Sequence, residues 1–246
     1  MFERKKYKEF AKKQLKGRWT VPVLMTLCIF VIMELFDFPN YIRIFNNNNF
    51  VDFIYNLNAG NFDYQTYFNF INDISYNSTS FITSLIQSLV EGILTMAAIG
   101  LYLKMSRSPE GVSFKVFIEG LNNWARAILA TLWQFIWVFL WSLLFIIPGI
   151  VKTFAYSQMF YILSEYKNVS VTKAMKISMI ITKGHKGELF VMGLSFLGWM
   201  ILCAFTLCIG YLWLVPYMEM SYVNAYHAML KEALETGRIK PEDLTE

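Results

Sequence analysis

Ala127-Ile-Leu-Ala-Thr-Leu-Trp-Gln-Phe-Ile-Trp-Val-Phe-Leu-Trp-Ser-Leu-Leu-Phe-Ile-Ile-Pro-Gly-Ile-Val151 contains no charged side chain. A helix needs roughly 20 apolar residues to cross about 30 Å of hydrocarbon, at about 1.5 Å of rise per residue. This stretch is long enough, and others match it. Trp19 to Met33 and Leu189 to Met218 are uncharged, and Ile74 to Leu103 is broken only by Glu91. With 56% hydrophobic residues, 16% charged residues and a mean hydropathy of +0.40, the chain lies outside the range of water-soluble domains. The expected fold is an all-α polytopic membrane helix bundle.

Basic residues in short loops are retained on the cytosolic side of a membrane. Of the 22 Lys and Arg, only Arg43 and Lys152 fall outside the segments that this rule places inside. Eight lie between Arg4 and Arg18, and others between Lys104 and Arg126, between Lys167 and Lys186, and beyond Lys231. Both termini are therefore expected in the cytosol of a bacterial cytoplasmic membrane. The net charge of +4 then reports topology and needs no nucleic-acid partner. No small-x-small cleavage site closely follows the first apolar run, so that run is expected to remain in the mature protein.

The basic loops resemble one another. Tyr7 to Leu15 leads through Gly17-Arg18-Trp19 into an apolar run, and Ser113 to Leu121 leads through Asn122-Asn123-Trp124 into the next. The segment opened by Val169-Ser170 leads through Lys183-Gly-His-Lys-Gly187 into a third. Phe114, Phe117, Ile118 and Leu121 form a helical stripe, as do Val171, Ala174, Met175 and Met179, with Ser113 and Ser170 at N-cap positions. Three units are predicted, each a cytosolic amphipathic helix and then a hairpin, giving about six transmembrane helices at 19–38, 79–103, 125–149, 152–166, 188–208 and 211–230. Pro148 and Gly149 are expected to close the second hairpin, and Gly210 and Pro216 to bend the chain before the sixth helix. The chain reads as a single membrane domain over 1–246. Residues 1–18 form its basic amphipathic helix, 39–78 an external Asn- and aromatic-rich loop, and 231–246 a cytosolic tail. The external loop is expected to hold an interfacial helix through Tyr64, Tyr67, Phe68 and Ile71, and Asn77-Ser-Thr79 fits a glycosylation sequon.

No catalytic, metal or cofactor constellation emerges. Cys28, Cys203 and Cys208 all lie in apolar runs without ligand spacing and read as packing residues. His227 reads as a solvated residue near the tail. His185 with Glu188, in a Gly- and Lys-rich turn, is the nearest approach to a catalytic pair, and it is not expected to carry chemistry. The sharper signal is intramembrane charge, which costs at least about 2.5 kcal/mol at mid-bilayer and marks functional candidates. Glu91, Lys152 and Glu219 lie 12 or 13 residues before Lys104, Glu165 and Lys231, roughly 20 Å of helical rise. Equal depth permits a cluster of two acids and a base. The alternative is that each charge snorkels or meets a local interface. Glu34 and Asp37 mark the expected exit of the first span.

Ala11-Lys-Lys-Gln-Leu-Lys-Gly-Arg-Trp19, Leu140-Trp-Ser-Leu-Leu-Phe-Ile-Ile-Pro-Gly-Ile150 and Gly210-Tyr-Leu-Trp-Leu-Val-Pro-Tyr217 resemble the uncharacterised bacterial integral-membrane family catalogued as domain of unknown function 975. The resemblance covers most of the chain, the Asn-rich segment excepted, and implies a polytopic helical fold with no catalytic residues to carry over. Three classes of function stay open. The chain could be an accessory protein of envelope maintenance or peptide protection, a small transporter or channel for a lipid, peptide or amphiphile, or, least favoured, an intramembrane enzyme. The expected partners are the lipid bilayer and a peptide or lipid ligand.

Overall fold

The computed structural model describes residues 2–61, 63–76 and 81–245, and the sequon at Asn77 lies outside them. It is all-α, with no strand among the described residues. Thirteen α-helices occur there: α1 (Arg4–Leu15), α2 (Thr20–Phe45), α3 (Asn48–Asn58), α4 (Tyr64–Tyr76), α5 (Phe81–Arg107), α6 (Lys115–Leu121), α7 (Trp124–Leu144), α8 (Ile146–Tyr156), α9 (Met159–Glu165), α10 (Val171–Ile181), α11 (Lys186–Leu194), α12 (Leu197–Phe205) and α13 (Tyr211–Glu235). Five stretches are long and apolar enough to cross a membrane: Thr20–Ile42, Ile82–Arg107, Trp124–Leu144, Ile146–Glu165 and Lys186–Phe205. The sixth expected span, on α13, falls short in composition because Glu219, Asn224 and His227 interrupt its apolar residues.

The chain divides into two compact units: residues up to Cys28 with those from Leu89 onward, and Ile29–Ser88. In the smaller unit α2 continues past the expected exit at residue 38, through Pro39 to Phe45. Glu34 accepts a hydrogen bond from the Tyr41 hydroxyl at 3.0 Å, and Asp37 accepts from Gln87 at 3.3 Å, so both acids serve helix contacts. The polar segment beyond is a helical hairpin, α3 against α4, rather than a loop with one helix. Asn47 caps α3 through the Asn49 and Phe50 amides, Asp63 caps α4, and the Phe53 and Phe70 rings stack 5.4 Å apart. Tyr64, Tyr67, Phe68 and Ile71 all lie on α4 and are exposed.

In the larger unit short helices precede α2, α7 and α11, and Gly17 and Gly184 supply the positive φ needed to leave α1 and α10. None of the three short helices is simply a surface float. Tyr7, Ala11 and Leu15 bury a stripe of α1, which packs along α13, while Gly120 of α6 lies so near Ala97 that a Cβ would fall 2.8 Å from its Cα. The most buried face of α10 runs through Ala174, Met175, Ile177, Ser178 and Ile181, rotated from the expected stripe so that Met179 is only half-buried. Ser170 caps α10 through the Lys173 amide, whereas Ser113 precedes the cap of α6 by one residue. The spans around them face outward to differing degrees. Only 11% of the central Trp124–Leu144 window is buried within the protein, against 44% for Ile146–Glu165. α7 is thus apolar nearly all round, as a lipid-facing helix is, and α8–α9 turn inward. Of the cysteines only Cys203 is buried, so Cys28 and Cys208 do not serve as the expected packing residues.

Two turns differ from expectation. The break between α7 and α8 falls at Phe145, whose backbone is extended (φ −160°, ψ 148°). Pro148 occupies the first turn of α8, where its missing N–H costs nothing, and Gly149 brings α8 within 3.2 Å of Ser142 for any added Cβ, so these residues seat the hairpin without forming its turn. Pro216 lies inside α13 and the helix runs through it, which leaves Gly210 alone in the turn. Leu207 and Cys208 adopt positive φ there, and Gly210 has no room for a Cβ, which would sit 2.7 Å from Cys203 Sγ. A further break, between α8 and α9, frees backbone groups deep in the protein. Ser178 of α10 closes it by accepting from the Gln158 amide at 3.1 Å and donating to the Ala155 carbonyl at 2.8 Å, with Thr182 also reaching Ala155.

Ser178→Ala leaves the buried Gln158 amide short of a partner and the Ala155 carbonyl with Thr182 alone, and is expected to cost about 1–3 kcal/mol of stability. Thr153→Val removes only a bond to the same helix and should cost less. Unfolding of both variants in detergent measures the difference, and equal losses would contradict the bridging role of Ser178.

Candidate functional site

Glu91, Lys152 and Glu219 form no ion pairs with one another. Glu91 is exposed on α5, with no polar partner among the described residues. Lys152 is half-buried on α8, its ammonium 4.3 Å from the centre of the Trp141 ring and 5.9 Å from that of Tyr156. Glu219 accepts a hydrogen bond from the Tyr161 hydroxyl of α9 at 3.2 Å. Similar depth does not make neighbours of these residues because direction around each helix turns by about 100° per residue. The close seating of α8 on α7 hands Lys152 the Trp141 face, a favourable cation–π partner.

Glu219 remains the one member with a built environment. It lies deep among protein atoms, yet part of its surface stays accessible. Tyr161 holds one oxygen, and the hydroxyls of Tyr102 and Tyr222 lie within the reach of its charge. Tyr102 is fully buried, with the buried Thr26 beside its hydroxyl. Toward the far end of α13, Tyr161 stacks on Tyr226 at 5.3 Å, Tyr226 donates to Glu165 at 2.6 Å, and Glu165 pairs with the half-exposed Arg107. His227, expected to be solvated, is half-buried with Nε2 3.0 Å from Ser106 Oγ. A ladder of polar groups thus runs from Glu219 to the surface at Arg107. The tyrosines escaped the sequence reading because they look like ordinary aromatic filling; Tyr222 and Tyr226 share α13 with Glu219, but Tyr102 and Tyr161 come from α5 and α9.

His185 and Glu188 do meet, with Nδ1 2.7 Å from the carboxylate, and a third group joins them. Nε2 lies 3.2 Å from Glu232, which also accepts from Arg238 at 2.5 Å, while Arg238 reaches the Lys183 carbonyl and Phe2 stacks on the imidazole. The expected tail is folded back, with Ile239 and Leu244 buried. Through these contacts the set latches the start of α11 to the end of α13, and Thr236 adds a hydrogen bond to the Glu232 carbonyl at 2.7 Å. No group of three or more His, Cys, Asp or Glu placed to hold a metal occurs among the described residues.

A family model described as "Protein of unknown function (DUF975)" matches residues 1–153 and 144–233. No curated protein matches the chain, and no solved structure does.

Burial would raise the Glu232 pKa, but the His185 hydrogen bond and charge, with Arg238, outweigh it and hold it below 4.5. A lowered acid contributes stability above its unfolded pKa and loses it as pH falls through its folded one. Wild type should therefore melt higher than Glu232→Gln at pH 7, with the gap closing below pH 4.5. Since Glu232 is more than a third exposed, the gap should not exceed about 1 kcal/mol. A gap that stays constant across this range in paired thermal melts would rule out the latch.

Proposed function

The chain belongs to that family, and from this premise we propose that it is a six-pass protein of the bacterial cytoplasmic membrane that binds and moves a cationic amphiphile, Glu219 being the anion of its site. One observation carries the reading: a deep carboxylate with no cationic partner that is still partly accessible. Leaving such a group unpaired among membrane helices is costly, which makes a positively charged ligand or a proton its natural complement. Aromatic rings beside a carboxylate favour an ammonium with an apolar tail. On this reading the chain is a carrier and not an enzyme. The accessory reading, protection of the envelope from membrane-active peptides, shares the topology and differs in requiring nothing of Glu219.

On this reading the sixth pass is α13, supported by the inward-turned Ser221 and Tyr226, and the distribution of Lys and Arg supports a cytosolic place for both termini. After replacement of the native cysteines, Asn48→Cys should react with a membrane-impermeant maleimide in intact cells, and Lys240→Cys only after permeabilisation. The reverse pattern would invert the topology.

Dodecyltrimethylammonium should raise the melting temperature of the wild-type protein in dodecyl maltoside. Glu219→Gln keeps the acceptor for Tyr161 and removes the charge. Its apparent affinity should fall roughly tenfold or more, as for a charge pair that loses one partner. Equal stabilisation of both proteins would sink the cation site and leave the accessory reading.

A further inference from the structure

Away from Glu219, a groove of about 430 Å³ lies between α12 and α13, within the roughly 300–1,000 Å³ usual for ligand sites. Trp19, Trp199, Leu202, Trp213 and Leu214 line it, and Lys12 of α1 stands at its edge. The strained turn through Thr206 and Gly210 closes the opposite end, about 10 Å along α13 from Tyr217. Trp199, Leu202 and Trp213 are each about half exposed, so the groove opens onto the apolar outer face of these helices.

We propose that this groove seats an acyl chain of an anionic phospholipid whose phosphate is bound by Lys12. Three features select that occupant. Lys12 is the only formal charge in the lining, and no acid accompanies it. Its ammonium lies 5.6 Å from the centre of the Tyr217 ring and makes no ion pair among the described residues. Its neighbour Lys8 is committed elsewhere, donating to the Ser195 carbonyl at 3.2 Å and lying 3.6 Å over Phe196, so Lys12 is the cation left for a ligand. The polar groups at the closed end are already used: Thr206 donates to the Cys203 carbonyl and accepts from the Gly210 amide. A peptide backbone would find few partners there, whereas a hydrocarbon chain needs none. Tryptophans at the rim of an apolar slot, with a lysine beside them, match the two ends of a lipid.

The full-length protein in phosphatidylcholine vesicles tests this through quenching of its tryptophans by brominated acyl chains. At equal mole fraction, brominated phosphatidylglycerol should occupy the groove with about a fivefold preference over brominated phosphatidylcholine, the size expected for one lysine beside an anionic lipid. Lys12→Gln should reduce that preference to parity, Lys12→Arg should keep it, and Trp199→Phe should shrink the excess quenching. Equal quenching by both lipids, or a preference that survives Lys12→Gln, would overturn the proposal. Displacement of the brominated lipid by millimolar inorganic phosphate would overturn it too, by showing an anion site indifferent to the chain. For wild type, the preference should fall as salt is raised, a readout that does not depend on any variant folding.

Discussion

Every helix end or break within this bundle frees backbone groups that lipid cannot satisfy, and the larger unit is organised around supplying their partners. Ser178 and Thr182 close the gap between α8 and α9. Arg18 takes the carbonyls of Met105, Ser108 and Glu110 at the end of α5, and Arg126 takes those of Leu163, Tyr166 and Val169 at the end of α9. Both arginines stand where a short helix hands over to an apolar one. These two basic residues therefore do local structural work, each tying the start of one apolar helix to the end of another.

The same demand explains the place of α1. Asn224 of α13 donates to the Tyr7 carbonyl and to Gln14, and Gln14 donates to the Ser106 carbonyl, so α1 is stitched to α13 and α5 along a buried stripe. Burial, together with the charges of Arg4 and Lys12, lowers the pKa of Lys8 on its other flank. An amphipathic helix of this composition could lie on headgroups, but its apolar stripe is spent on protein. That frees Lys12 at the groove edge and leaves α13, the least apolar of the long helices, surrounded by partners for its polar side chains.

Glu219 and the groove offer opposite chemistries. A carboxylate among tyrosines in the interior favours a cation, and an apolar slot with one lysine on the outer face favours an anion with a tail. Both depend on α13. Its inner side meets α10 and α1, and its outer side forms the slot with α12.

Helix content and the presence of apolar spans were legible in sequence because hydropathy and length alone decide whether a segment can cross hydrocarbon. The three short helices before α2, α7 and α11 were legible too, because their apolar residues repeat with helical period and Gly17 and Gly184 punctuate them. His185 and Glu188 were found because they are three residues apart on one turn. Tertiary structure decided the rest. The meeting of Lys152 with Trp141, of Glu219 with Tyr161, and of His185 with Glu232 depends on the rotation of one helix against another. Hydropathy constrains that rotation only weakly when a helix is apolar all round. The turn at Phe145 and the uninterrupted run of α13 through Pro216 were likewise hidden, since a proline in a first turn costs nothing and one deeper in a helix can be held by its neighbours. Sequence therefore determined which segments can enter a membrane, and packing alone determined which polar groups face each other there.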